Sequence, residues 1–94
     1  MRIIDPHVHT HSGGISLVEG LLRASERNGV EKLCFSSLGR VWDPEPSIET
    51  CIQANRDVKE VMDRYPRRVT GLCYINPALG EEGLEEFEKC SKKF

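Results

Sequence analysis

Apolar positions along the chain change period several times, and each change marks an element. Ile3, Ile4 and Val8 form a short apolar run that predicts a buried strand over Met1–His9. Pro6 argues against a central place for that strand, because proline lacks the ladder N–H. Residues 10–15 predict a loop, with Gly13-Gly14 supplying permissive backbone. Ser16 then starts a helix, since Ser16 and Glu19 stand at the spacing of a capping box. Leu17, Leu21, Ala24 and Ser25 lie on one stripe of it, with Val18 and Leu22 beside them, and Asn28-Gly29 closes it.

A second strand is predicted over Val30–Ser37, with small polar residues at its C-terminal end. Residues 38–47 form a loop carrying Arg40, Trp42 and Asp43. Ile48, Cys51, Ile52, Asn55, Val58, Met62 and Tyr65 then recur at helical spacing until Pro66 ends the run. Val69–Ile75 predicts a third strand, stopped by Asn76-Pro77. The last helix begins near Gly80 or Glu81, with Leu84, Phe87, Ser91 and Phe94 on one face. Its acidic start and its lysine-rich end match the helix dipole. Strands alternating with helices imply an α/β fold with parallel pairing and right-handed crossovers. The start of a (β/α)8 barrel and a small doubly wound sheet both satisfy that order.

Composition narrows the function without naming it. Thirteen Lys and Arg against fifteen Asp and Glu leave a formal charge of −2. Neither nucleic acid nor an anionic membrane is favoured as a partner. No apolar run approaches the roughly 20 residues of a membrane span. An N-terminus that meets Asp5 so early is not a signal-peptide core, so a cytoplasmic location is expected. Cys34, Cys51, Cys73 and Cys90 form no Cys-x-x-Cys pair and each lies in an apolar segment. All four are expected to be buried free thiols. The polar ends of strand two, Ser36 and Ser37, read as ordinary strand-end polarity. Trp42 reads as packing over the rim, and Asn76 as forming a turn with Pro77.

The candidate chemistry sits at the end of strand one. All three histidines fall in His7-Val8-His9-Thr10-His11. Alternation of side chains puts His7 and His9 on one side of a strand, with Cα atoms about 7 Å apart. Two imidazoles so placed can lean onto one cation at roughly 2.0–2.1 Å from each nitrogen. Ligands of parallel α/β folds bind outside the carboxyl ends of the strands, which is where this pair lies. Asp5 shares their parity and is a candidate to orient a histidine or contact substrate. His11, beyond the strand, is a weaker candidate for a substrate or metal contact.

Ile3-Ile4-Asp5-Pro6-His7-Val8-His9 resembles the first strand of the amidohydrolase superfamily, whose members carry Asp-x-His-x-His there. The stretch Asp63-Arg64-Tyr65-Pro66-Arg67-Arg68, with Asn55 and with Gly71 through Asn76-Pro77, is similar to the amidohydrolase-related branch. That branch includes decarboxylases such as aminocarboxymuconate-semialdehyde decarboxylase. The resemblance implies the first three β/α units of a TIM (β/α)8 barrel, truncated, with residues 1–94 forming its N-terminal portion. It implies a divalent metal, zinc the expected one, held by His7 and His9 with ligands from later strands. The expected activity of the intact parent is hydrolysis, a metal-activated water attacking a carbonyl or amide-like carbon of a small-molecule substrate. Non-oxidative decarboxylation of an aromatic or muconate-like acid is the alternative, and a non-catalytic α/β binding module the other. The intact parent is compatible with a homo-oligomer. A complete barrel of this kind needs about 250 residues, so the 94-residue chain alone is expected to be inactive, and no catalytic acid or base is assigned.

Overall fold

The computed structural model describes residues 2–10 and 14–94, and side chains within them except those of residues 10 and 14–16. Strands β1 (Ile3–Thr10), β2 (Val30–Ser37) and β3 (Val69–Gly71) alternate with helices α1 (Gly14–Arg27), α2 (Ile48–Arg64) and α3 (Glu81–Lys93). A 3-10 turn at Pro77–Leu79 precedes α3. The sheet runs β1-β2-β3 in chain order, and both pairs are parallel. Leu33 and Phe35 of β2 share one cluster with Val18 and Leu22 of α1, Val61 of α2 and Val69 of β3. Both crossover helices therefore cover the same face. Sequential strand order with helices on one face is the winding of a (β/α) barrel, whereas a doubly wound sheet reverses order to cover both faces.

The core lies between that face and the helices. Phe35 is fully buried at its centre, and Cys51, Ala54, Val58 and Val61 line the inner side of α2. Along α1 the buried stripe is Val18, Leu22 and Ser25, while Leu17 faces out. Ser47 caps α2, its Oγ accepting the Thr50 N–H at 3.2 Å. Gly29 ends α1 with φ of 74°, the left-handed conformation expected of it. At the N-terminal end of the strands Arg68 ties three elements together. Its guanidinium donates to the Glu31 carbonyl at 2.9 Å and to Ser25 Oγ at 2.8 Å, and pairs with Glu26 at 2.9 Å.

Gly71 marks the closest approach of β3 to α2. A Cβ there would collide with the Met62 sulfur and a Val58 methyl. Gly71→Ala should destabilise the chain by about 1–3 kcal/mol through overpacking, read from urea unfolding; G71A paired with Met62→Ala should recover part of the loss.

Four expectations are corrected. The first helix begins at Gly14, so Ser16 lies inside its first turn instead of capping it; helix ends are weakly encoded by short motifs. The third strand is only Val69–Gly71, not Val69–Ile75. Leu72 N–H still donates to the Phe35 carbonyl at 2.8 Å. Beyond it the buried Asn55 takes over from the ladder, accepting the Tyr74 N–H at 2.6 Å and donating to the Tyr74 carbonyl at 3.0 Å. Cys73 and Cys90 are not free thiols but form a disulfide across 6.3 Å between Cα atoms, because α3 docks beside the chain leaving β3. Cys34 and Cys51 are free, as expected, and burial pushes the Cys51 thiol up, keeping it protonated and unreactive. Finally, Trp42 is exposed rather than packed over the rim, and Arg40 turns outward to Asp57 of α2 at 3.2 Å.

Candidate metal centre at the end of strand one

The register of β1 against β2 decides which side chains share a face. Asp5 pairs with Leu33 and Val8 with Phe35, so β1 spends three steps where β2 spends two. The extra residue is a bulge at Pro6-His7, where a proline without an N–H disrupts nothing. This answers the objection that Pro6 raised against the strand.

The bulge also changes the place of Asp5. By simple alternation Asp5 would join His7 and His9. Instead it lines a groove with Val8, Leu21, Ala24 and Leu33 on the side of α1. Its Oδ1 accepts the His7 backbone N–H at 3.1 Å. Asp5 thus holds the bulged backbone, and its described bond reaches His7 through the main chain rather than an imidazole.

His7 and His9 occupy the opposite, open face of the sheet. Their Nε2 atoms approach to 2.8 Å, with ring centroids 4.6 Å apart and planes at 88°. Two nitrogens at roughly 2.0–2.1 Å from one zinc stand roughly 2.9–3.4 Å apart for coordination angles between square and tetrahedral. The observed separation is shorter than that span, so the rings would part by about 0.5 Å to take neighbouring corners of one tetrahedral shell. In the absence of a cation the same approach is an N–H···N hydrogen bond. Among the described residues there is no group of three or more His, Cys, Asp or Glu able to hold a metal. By themselves the two rings do not make up a complete metal site among the described residues. His11 lies outside the described residues.

One contact of the pair had no counterpart among the expected site residues. His9 is the ladder partner of Ser36, and its Nδ1 lies 2.7 Å from Ser36 Oγ. Ser37 points the other way, buried, and accepts the Gly39 N–H at 3.2 Å. The Ser36-Ser37 doublet is split by the pleat, one hydroxyl on each face. Position at a strand end was the available signal for Ser36; register supplied what sequence could not. Asn76 makes the turn expected of it, its Oδ1 accepting the Ala78 N–H at 3.0 Å, and also donates to the Pro46 carbonyl at 3.1 Å. A cleft of about 210 Å³ between α2 and α3 is remote from the pair on the helical side, lined by Ile52, Asn55, Arg56, Lys59, Lys89 and neighbours.

The architecture recurs in a crystal structure from Staphylococcus aureus described as a "putative amidohydrolase". It superposes with a TM-score of 0.79 at 20% sequence identity, covering 98% of this chain. This chain spans only 34% of that one. At such identity the likeness shows the fold: parallel β/α units laid out as in part of a larger α/β protein. No protein-family model matches the chain, and no curated protein matches it by sequence. Among the described residues no helix is long and apolar enough to cross a membrane.

Proposed function

We propose that this chain supplies the first segment of an amidohydrolase-type (β/α)8 hydrolase and, with it, two ligands of a divalent metal centre. The observation that carries the reading is the convergence of His7 and His9 Nε2 to 2.8 Å at the carboxyl end of β1. The fold shared with the staphylococcal protein supports it. The open face of the sheet supports it too. Ile4 and Leu72 are 56% and 46% exposed, as barrel-lining residues would be with other strands absent.

A divalent cation, zinc first, bound by His7 and His9 with ligands from outside this chain would polarise a carbonyl or activate water. The chain's own contribution is positional. Asp5 fixes the bulge that turns His7 outward, β2 holds His9, and the two rings present nitrogens to one point. Two ligands among the described residues fall short of a catalytic zinc site, and the chain by itself is expected not to turn over substrate.

Zinc titration of the chain against a chromophoric chelator tests the ligand pair. His7→Ala and His9→Ala should each weaken binding at least about tenfold, the scale seen even for the loss of outer partners of a ligand. Equal affinity in wild type and both variants would remove the metal reading. In a polypeptide carrying this chain together with the remaining strands, hydrolysis of amides or lactones should be lost with His7→Ala. Release of carbon dioxide from aromatic acids, without hydrolysis, would assign the site to a carboxy-lyase.

A further inference from the structure

We propose that the cleft between α2 and α3 binds a small phosphate monoester with an apolar body, a reading independent of the metal centre. Four cations line it, Arg56 and Lys59 from α2 with Lys89 and Lys93 from α3, against one carboxylate, Glu86. The chain as a whole has a formal charge of −2, so the cleft runs against its overall sign. Lys59 is satisfied within α2 by Asp63 at 2.6 Å. Arg56, Lys89 and Lys93 make no ion pair among the described residues. Lys89 and Lys93 stand one helical turn apart, a like-charge spacing that destabilises a helix unless an anion offsets it. Glu86 is not that anion. Its carboxylate turns to the buried Asn55 amide, accepting from Nδ2 at 3.3 Å.

Between the charges the cleft is apolar, with Ile52 and Phe94 half-buried beside the buried Cys90. Its walls are held in place before any ligand arrives. The Cys73–Cys90 disulfide fastens α3, and Asn55 grips the Tyr74 backbone through both N–H and carbonyl, so binding carries little ordering cost. A volume of about 210 Å³ lies below the range for drug-sized ligands, so the occupant is small. One guanidinium and two ammonium groups suit a doubly charged phosphate better than a single carboxylate. Arg56 offers paired N–H donors to its oxygens and the lysines offer point charges. The apolar strip takes the organic part.

The test titrates the whole ¹⁵N-labelled chain, oxidised and without metal, with phenyl phosphate, inorganic phosphate and phenol. Phenyl phosphate should bind about tenfold or more tightly than either of the others, because each lacks the buried ring or the charge. Amide shifts should gather in residues 52–59 and 86–94, and affinity should fall with added salt. Arg56→Gln combined with Lys89→Gln, both at exposed helix positions, should weaken phenyl phosphate about tenfold or more while leaving the fold intact. Glu86→Gln, which keeps an oxygen for Asn55 and removes the opposing charge, should tighten it. Phenol binding as tightly as phenyl phosphate, shifts spread over lysines and arginines elsewhere, or full affinity in the double variant overturns the proposal. So does a preference for an acidic helical peptide over phenyl phosphate, which would assign the cleft to a protein partner.

Discussion

Phe35→Ala should cost about 3–5 kcal/mol of stability, the range for truncating a buried phenylalanine. Phe35 is wholly buried in the middle strand, within a core cluster drawn from both α1 and α2. Its removal leaves a cavity bounded by the sheet on one side and both helices on the other, elements that cannot collapse together into it. A domain of ordinary stability has about 5–15 kcal/mol in total, so much of the population should unfold at moderate temperature. Phe35→Leu, which keeps most of the volume, should cost less than half as much. Urea unfolding followed by circular dichroism measures both. A Phe35→Ala midpoint close to wild type would mean that α1 and α2 do not share the core described.

Loss of the Cys73–Cys90 disulfide should cost about 3 kcal/mol, the chain-entropy value for a loop of this size, the cysteines being 17 residues apart. The bridge fastens α3 to the segment just past β3, where Asn55 supplies the other fastening. Reduction or Cys90→Ser should therefore loosen residues 73–76 and α3 first, seen as faster amide exchange there than in β1 and β2. Cys34→Ser, at a free cysteine outside the bridge, should leave that pattern unchanged. Four titratable thiols in the unreduced native protein, or no change in melting on reduction, would contradict the bridge. The cytoplasmic location expected from the N-terminus is not the usual setting for a structural disulfide, so thiol counting also bears on where the protein works.

How much of this was legible beforehand depends on whether a feature is local or made by register. The strand at Ile3–Thr10, the long helix ending before Pro66 and the left-handed Gly29 were readable because period and turn chemistry are local. Barrel-type winding was not readable from periodicity, since strand order is set by which helix faces meet Leu33 and Phe35; it was implied only by the resemblance of residues 3–9. The sequence pairs Asp5 with His7 and His9 by counting in twos. One bulged residue at Pro6-His7 reverses that count and sends Asp5 to the side of α1. The third strand stops early because a side chain on α2, Asn55, meets Tyr74 with an amide of its own. The disulfide joins residues brought together only by the docking of α3.

The third helix shows the limit of reading amphipathicity as burial. Leu84 and Phe87 form the apolar face expected of it, yet they are 56% and 44% exposed. The contacts of α3 run instead through Gly83, which sits against the Asn76 carbonyl, and through Cys90. An unused apolar face on the last helix is what a β/α unit shows when the next unit is not there to cover it. Together with the open sheet face, it agrees with a chain that matches about a third of its structural neighbour's length.

The central claim is that the two imidazoles of β1 serve one cation. X-ray diffraction at the zinc absorption edge, on crystals of the chain soaked with zinc, addresses it most directly. A single anomalous peak roughly 2.0–2.1 Å from both the His7 and the His9 Nε2 atoms is the predicted result. Zinc bound to one ring alone, or elsewhere while the 2.8 Å contact between the rings persists, would contradict it.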